Sequence, residues 1–276
     1  IEKFQKMGYK IEILKITPKA PYRSYEEVER YLHYVNTNYP SITYLCSIGK
    51  SVEGRDIWAI KVSDNPDKCE PEPKLRFAST IHGDEPPGTE VLIALLDTLT
   101  KKYGIDPYIT ELVNNREIWI IPVANPDGYV AGTRENANAI DLNRNFPVPD
   151  GSPGEDGTYD IEPETKALMD FQDTANFTLG CMFHTGAVVV NYQWDYSSAC
   201  PPDDVIIDKI AKEYARRNPR IYYDYTVSTA DSGVVRGWRW YPAYGTLQDY
   251  SYHITGFLDY TIEISLTKRP DTLTKT

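Results

Sequence analysis

The sequence has 276 residues, 41% of them apolar and 12% aromatic, which suits one large α/β domain or two small ones. Its formal charge of −11 argues against nucleic acid and anionic membrane as partners, because both attract basic surfaces. No apolar run approaches the about 18 residues of a membrane-spanning helix, so we expect no membrane span.

The start of the chain predicts a short lead-in segment and one helix. Residues 1–20 hold one strand-like alternation and a proline-containing linker, as expected for a remnant of an upstream region. The chain opens on Ile1 without a signal-peptide pattern, so we expect a mature or trimmed form. Ser24 with Glu27 forms a capping box, which predicts a helix that ends at Pro40.

Short strands and helices then alternate to the end of the chain. Strands are predicted at residues 43–48, 56–63, 75–80, 116–125, 177–183, 188–194 and 257–265, and helices at residues 88–104, 163–175 and 203–218. This alternation implies a mainly parallel or mixed sheet with helices on both faces. In such sheets ligands bind where loops leave the carboxyl ends of the strands. The long Gly/Asn/Asp/Pro-rich loop at residues 125–162 is therefore a candidate functional segment.

The chain has only four histidines, so each can be weighed as a metal ligand. His82 ends a strand three residues before Glu85, and together they offer two of the three ligands of a His₂Glu zinc site. The alternative is ordinary turn chemistry, with Glu85 near the positive end of the next helix. His184 also ends an apolar strand, which favours it as the third ligand over His253, expected in a polar loop. His33 falls on an amphipathic helix and is interpreted as structural.

Three further charged residues have two interpretations each. Glu263 lies on the polar face of an alternating strand, which is either solvated or aims a carboxylate into a cleft, where it could deprotonate a metal-bound water. Arg134 and Arg144 are either plain surface charge or, beside a metal, groups that recognise a carboxylate, because the guanidinium fork matches carboxylate geometry.

Several motifs occur along the chain in one characteristic order: HGDE, ANPDGY, TRENANAIDLNRNFP, EPETKALMDF, HTGAVVVNYQWD, GTLQDYSY and TIEIS. With these motifs the chain resembles the zinc metallocarboxypeptidases of the carboxypeptidase A/B clan, and most of all their N/E/D (regulatory) branch. The resemblance implies one α/β domain with a central mixed, mostly parallel twisted sheet of about eight strands flanked by helices on both faces. It implies a catalytic domain over residues 21–270, with residues 271–276 as a tail or the start of a linker.

The resemblance also implies a single Zn²⁺ and its ligands. His82 and Glu85 match the first two zinc ligands, and His184 matches the third. Arg134 matches the arginine that polarises the scissile carbonyl and stabilises the oxyanion, and Glu263 matches the general base. The implied activity is hydrolysis of the C-terminal peptide bond of peptides or proteins.

Three positions resemble the parts of the family that hold the end of a peptide. Asn143 and Arg144 match the pair that grips the terminal carboxylate of the substrate. Tyr241, eight residues before Asp249, matches the mobile tyrosine that closes over the bound C-terminus.

Two positions resemble the pocket for the leaving side chain. Gln248 matches its floor, which in the N/E/D branch is a glutamine accompanied by an aspartate from another segment. Asp195, eleven residues after His184, matches that aspartate. The expected preference is therefore for C-terminal Arg or Lys, the alternative being that Asp195 is an ordinary surface acid.

The sequence departs from the family at a few points. Asp84 replaces the usual asparagine, which adds negative charge beside the zinc and could shift the pH profile. The loop around Tyr241 has fewer glycines than usual, so we expect it to be stiffer. The branch normally carries a transthyretin-like domain after the catalytic one, whereas this chain ends at Thr276, so that domain is expected to be trimmed or lacking.

Two other functions remain open. The same pocket could serve peptidoglycan stem peptides or another modified C-terminus, and a non-catalytic protein could bind C-terminal peptides without cutting them.

The expected partners are peptide or protein C-termini, with no nucleic acid, and the chain is expected to be a monomer. The 22 tyrosines and 20 prolines favour a secreted, periplasmic or extracellular protein. The four cysteines include no CxxC pair, which argues against a zinc finger.

Overall fold

The computed structural model describes residues 22–155, 157 and 159–271. The predicted lead-in at residues 1–20 and all but the first residue of the predicted tail at residues 271–276 lie outside the described residues. Within the described part of the chain, eight strands form one sheet in the order β1-β2-β4-β3-β5-β8-β6-β7. The strands are β1 (Thr43–Lys50), β2 (Asp56–Val62), β3 (Lys74–Ser79), β4 (Glu117–Ile121), β5 (Leu179–His184), β6 (Ala187–Tyr192), β7 (Val234–Arg236) and β8 (Leu258–Ser265).

The middle of the sheet is parallel and its margins are partly antiparallel. Strand β3 runs parallel to both β4 and β5, and β5 runs parallel to β8. The β1–β2, β2–β4 and β6–β8 pairs are antiparallel, and the edge pair β6–β7 is parallel. The predicted mixed, mostly parallel sheet is thereby confirmed. Because β3, β5 and β8 are parallel neighbours, their carboxyl ends meet at one edge, where ligands bind in such sheets.

Helices cover both faces of the sheet. They are α1 (Tyr25–Asn38), α2 (Pro87–Lys102), α3 (Pro107–Asn114), α4 (Pro126–Ala131), α5 (Pro163–Ala175), α6 (Asp204–Arg217), α7 (Pro219–Tyr223), α8 (Gly237–Trp240) and α9 (Leu247–Thr255). One core cluster joins the sheet to α1, α2 and α6, and a second joins it to α5 and α9. None of the helices in the described part of the chain combines the length and apolar character that a membrane crossing requires.

Local sequence signals predicted some of the helices. Helices without such signals were not predicted from the sequence. The Ser24–Glu27 capping box is present at the start of α1, and α5 occupies the predicted residues. Helix α4 lies inside the predicted loop at residues 125–162, because six residues are too short to show a helical period. Helix α9 was missed because its buried face carries polar side chains. The expectation that His253 lies in a polar loop is therefore wrong, since it is an exposed residue of α9.

Candidate active site

The turn after β3 brings His82 and Glu85 into the interior. Thr80 has a φ of 56°, so the chain turns through the left-handed region directly after the strand. His82 and Glu85 are then only 4% and 2% exposed. Gly83 allows this turn, because a Cβ there would lie 2.0 Å from the carbonyl carbon of Gly128. Neither Asp84 nor Glu85 caps the following helix α2, which has no side-chain cap hydrogen bond, so the alternative of a capping residue is not found.

His184, the last residue of β5, completes a buried cluster with these two side chains. Its Nδ1 lies 3.2 Å from His82 Nδ1 and 3.1 Å from Glu85 Oε2, and His82 Nδ1 lies 3.1 Å from Glu85 Oε1. Two ring nitrogens and a carboxylate that face one another repel unless a proton or cation lies among them. A tetrahedral zinc site with bonds of about 2.0–2.1 Å separates its ligand atoms by roughly 3.3 Å. The donor set and its spacing therefore fit a zinc ion.

Asp141, which the sequence analysis did not single out, orients His82. Its Oδ1 lies 3.1 Å from His82 Nε2, and a carboxylate can only accept there. This contact favours a proton on Nε2 and turns the Nδ1 lone pair toward the cluster, as in many metal-binding histidines. The signal was present in the motif DLNRN, but only the fold shows that this aspartate reaches across 59 residues to His82.

Burial and mutual contact shift the pKa values of the three side chains in the cluster. Burial opposes a charge on His82, but the hydrogen bonds with Asp141 and Glu85 outweigh it and raise the pKa of His82. Burial lowers the pKa of His184 despite the Glu85 contact. The two histidines hold the pKa of Glu85 far below its usual range, although burial opposes this. The cluster thus keeps an ionised carboxylate in the interior, which a cation stabilises.

Glu263 lies beside the cluster on β8, where its backbone is in register with His184. The side chain is only 8% exposed, so the polar face of β8 is not solvated at this position. Glu263 Oε2 accepts a hydrogen bond of 3.3 Å from the Ala187 N–H. Burial and the nearby Glu85 raise the pKa of Glu263 to about 8. The raised pKa makes Glu263 a stronger base than an exposed carboxylate.

Arg134 faces the same cluster from the loop that follows α4. Its Nε donates to Asp141 Oδ2 at 2.8 Å, which fixes the guanidinium. Its Nη1 then lies 3.1 Å from His82 Nδ1 and 3.6 Å from Glu85 Oε1. An N–H donor is thus held at the edge of the cluster, where an oxygen bound there would develop negative charge.

Asn143 and Arg144 lie on a short 3₁₀ turn, Leu142–Arg144. The Leu247 N–H donates to Asn143 Oδ1 at 3.0 Å, which orients the amide. Arg144 Nη1 donates to the Asn143 carbonyl at 2.8 Å, and its Nε lies 3.0 Å from Glu155 Oε2. A carboxylate of the chain itself therefore occupies one side of the Arg144 guanidinium.

Asp195 is buried in the wall of the same cavity, at 4% exposure. Asn191 Nδ2 donates to its Oδ1 at 3.2 Å, and its backbone N–H donates to Asp249. Burial raises the pKa of Asp195 to about 6, although Asn191 opposes this shift. Gly237 makes room for the carboxylate, because a Cβ there would lie 1.7 Å from Asp195 Oδ1.

Gln248 lies behind the cavity wall. It is not among the residues that line the cavity. Its Nε2 donates to Asn191 Oδ1 at 3.4 Å, and its Oε1 accepts from the Thr261 N–H at 3.1 Å. Gln248 therefore supports the Asn191 side chain and the Thr261 backbone of the wall and does not form the floor itself.

The cavity has a volume of about 210 Å³. The other nine residues that the sequence analysis assigned to the site line it: His82, Glu85, Arg134, Asn143, Arg144, His184, Asp195, Tyr241 and Glu263. Tyr241 lies at the mouth and is 45% exposed. Lys268 and Asn191 also line the cavity and were not predicted, because no local pattern distinguishes them from surface polar residues.

The fold and the buried His-Glu-His cluster define the class of zinc metallopeptidases. The sequence model of the zinc carboxypeptidase family matches residues 28–274. The chain belongs to this family. It is 36% identical to mouse carboxypeptidase M over 271 residues, which cover 90% of this chain and 60% of that protein. It is 35% identical to human carboxypeptidase D, over 89% of this chain and 19% of that protein. It is 31% identical to the human carboxypeptidase N catalytic chain, over 89% of this chain and 63% of that protein.

Solved structures show the same fold at lower identity. Thrombin activatable fibrinolysis inhibitor matches with a TM-score of 0.75 and 22% identity over 88% of this chain and 66% of that chain. Carboxypeptidase A from Helicoverpa armigera matches with a TM-score of 0.75 and 23% identity over 92% of this chain and 67% of that chain. The sequence relatives named above confirm the resemblance to the N/E/D branch. The chain spans less than two thirds of the length of each of them.

Proposed function

We propose that this chain is a zinc-dependent carboxypeptidase that releases Arg or Lys from the C-terminus of peptides or proteins. One observation carries the proposal: a single cavity holds a His-Glu-His cluster with Glu263, a carboxylate-binding Arg144, and a buried aspartate, Asp195. A metal centre alone suits many hydrolases. A guanidinium and a buried acid beside it restrict the substrate to a chain end with a basic side chain.

His82, Glu85 and His184 hold the zinc ion in this proposal, one ion per chain. Zinc bound there would supply Lewis-acid chemistry and lower the pKa of a coordinated water. Asp141 keeps His82 in the tautomer that binds a metal, through the contact at 3.1 Å.

Glu263 and Arg134 act on the scissile bond. Glu263 takes the proton of the attacking water and later returns it to the leaving amine, for which its burial beside the cluster is suited. Arg134 is fixed by Asp141, so its Nη1 donates to the carbonyl oxygen as negative charge develops there. Donors that are already in place need no reorganisation when the charge appears.

Arg144, Asn143 and Tyr241 bind the end of the substrate. The guanidinium of Arg144 and the amide of Asn143 pair with the terminal α-carboxylate, which replaces Glu155 at Arg144. Tyr241 closes over the bound residue from the cavity mouth. This clamp limits cleavage to the last peptide bond of a chain.

Asp195 selects the side chain that leaves. It lies in the cavity wall with Asn191, supported from behind by Gln248. A guanidinium or ammonium reaching Asp195 forms a desolvated ion pair, whereas an apolar side chain leaves the buried acid without a charged partner. The net charge of −11 favours the approach of a basic chain end.

The same proposal covers the domain bounds, the oligomeric state and the location of the protein. In this proposal residues 21–270 are the catalytic domain and the chain acts as a monomer. All four cysteines lie within the described residues and none forms a disulfide. Location outside the cytoplasm stays a prediction, which fractionation of the source cells tests.

Turnover of defined peptides tests the proposal. The zinc-loaded protein and a chelator-treated control receive peptides that differ only in their last residue: Arg, Lys, Phe, Glu or diaminopimelate. Mass spectrometry should show loss of Arg and Lys alone. Release of Phe but not Arg contradicts the role of Asp195, release of diaminopimelate alone supports a peptidoglycan peptidase, and binding without cleavage supports a non-catalytic protein.

A further inference from the structure

Asp84 lies between His82 and Glu85 in sequence, but among the described residues its carboxylate pairs with Lys268 and with neither of them. Its Oδ2 accepts a hydrogen bond of 2.6 Å from Lys268 Nζ, across 184 residues. Its Oδ1 is buried and has no donor among the described residues. Lys268 is thus the side chain that balances the charge of Asp84.

Lys268 lies at the metal end of the cavity. It lines the cavity, and its Nζ is 3.6 Å from Glu85 Oε1, too far for a hydrogen bond. The Lys268 carbonyl accepts from Thr185 Oγ1 at 3.3 Å, which ties the backbone beside His184. One N–H of the ammonium is used by Asp84. The others have no hydrogen-bond acceptor in the part of the chain that the structure describes, so they can donate into the cavity.

Strand β8 gives the direction of the substrate. Thr261 lies at the pocket end, where its N–H binds Gln248, and Glu263 follows beside the metal cluster, about 6.6 Å further along the strand. Lys268 comes five residues beyond Glu263 and three beyond the end of β8, and its contacts with Glu85 and Thr185 place it at the metal cluster. If the terminal residue lies at Asp195 and the scissile bond at the cluster, Lys268 faces the residues that precede that bond.

We propose that Lys268 binds a main-chain carbonyl of the substrate upstream of the scissile bond, and that Asp84 is the positioning residue that holds the ammonium there. The proposal rests on the proposed function. This contact is available only to peptides that have at least one amide before the scissile one. Asp84 acts through Lys268 and has no contact with substrate.

Two substrates isolate this contact. Propionyl-Arg has only the scissile amide, whereas acetyl-Ala-Arg carries one additional carbonyl upstream. In the zinc-loaded enzyme, Lys268→Met should lower the ratio of kcat/KM for acetyl-Ala-Arg over propionyl-Arg about tenfold, because it removes a charged hydrogen bond. The loss should appear mainly in KM. Lys268→Arg keeps a cation and should retain most of the ratio.

Asp84→Asn keeps the shape of the side chain and releases Lys268. It should lower the same ratio in the same direction, and it should add nothing in the Lys268→Met background, because the two residues form one unit. Equal effects of Asp84→Asn on both substrates, or full additivity with Lys268→Met, overturn the positioning role. An unchanged ratio in Lys268→Met overturns the carbonyl contact.

A binding measurement separates this inference from the proposed function. Failure of the wild-type enzyme to cleave either substrate counts against the proposed function. In the Glu263→Gln background, calorimetry measures the dissociation constants of acetyl-Ala-Arg and propionyl-Arg. Their ratio reports the same contact without turnover. Loss of the difference in affinity on Lys268→Met supports the contact, and persistence of the difference overturns it.

Discussion

Replacing Asp195 with asparagine removes one negative charge from the cavity and preserves the size of the side chain. The carboxylate is 4% exposed and already desolvated in the folded protein. The backbone N–H of Asp195 still donates to Asp249, so the segment keeps its anchor. We expect a selective loss of activity on basic chain ends and little change in the fold.

The size of the loss follows from the burial. Two unit charges 4 Å apart interact by about 4 kcal/mol at an effective dielectric constant of 20. Dehydration of the substrate cation offsets part of this, and hydrogen bonds to charged groups contribute about 1.5–3 kcal/mol net. We therefore expect kcat/KM for an Arg-terminated peptide to fall about 10- to 150-fold.

The assay compares two peptides that differ only in a final Arg or Leu. Since burial raises the pKa of Asp195 to about 6, its charged form is present above that pH and is lost as the pH falls through it. The wild-type preference for Arg over Leu should therefore decline below about pH 6. Asp195→Asn should show no such decline in preference, because asparagine does not titrate.

Two results would refute this reasoning. Equal losses on the Arg and Leu peptides would mean that Asp195→Asn damages the site in general. An unchanged Arg preference would mean that the substrate side chain does not reach Asp195.

The remaining predictions concern other groups. Glu263→Gln should lower kcat by at least about 100-fold and still bind one zinc ion per chain by atomic absorption; surviving activity contradicts the role as base. Glu155→Gln removes the carboxylate that competes with substrate for Arg144, so KM should fall. The expected decrease is only about two- to fivefold, because partly exposed ion pairs are weak. Asp150→Asn in the same loop serves as its control, and a higher KM in Glu155→Gln would reverse the interpretation. Asp259→Asn leaves a fully buried arginine unpaired and should lower the free energy of unfolding by about 3–5 kcal/mol in urea. Exposed Asp170→Asn should cost less than about 1 kcal/mol, and equal losses in the two variants would contradict the burial argument.

Local sequence patterns predicted the parts of the molecule that local physics controls. The Ser24–Glu27 capping box and the apolar period of α5 depend on neighbours within one or two turns, so they could be read directly. Helix α9 was missed, because its buried polar residues are satisfied by distant groups. The Ser251 hydroxyl, for example, lies 2.9 Å from both Gln172 Oε1 and Asp259 Oδ2.

The sequence by itself determined which residue types were available to the site and that strand ends would carry them. His82, Glu85 and His184 could be proposed from position and chemistry alone. Only the tertiary structure decided their mutual distances, the support of His82 by Asp141, and the pairing of Asp84 with Lys268. The physical reason is that charge and hydrogen bonding depend on burial and on contacts between segments far apart in the chain, which no local pattern encodes.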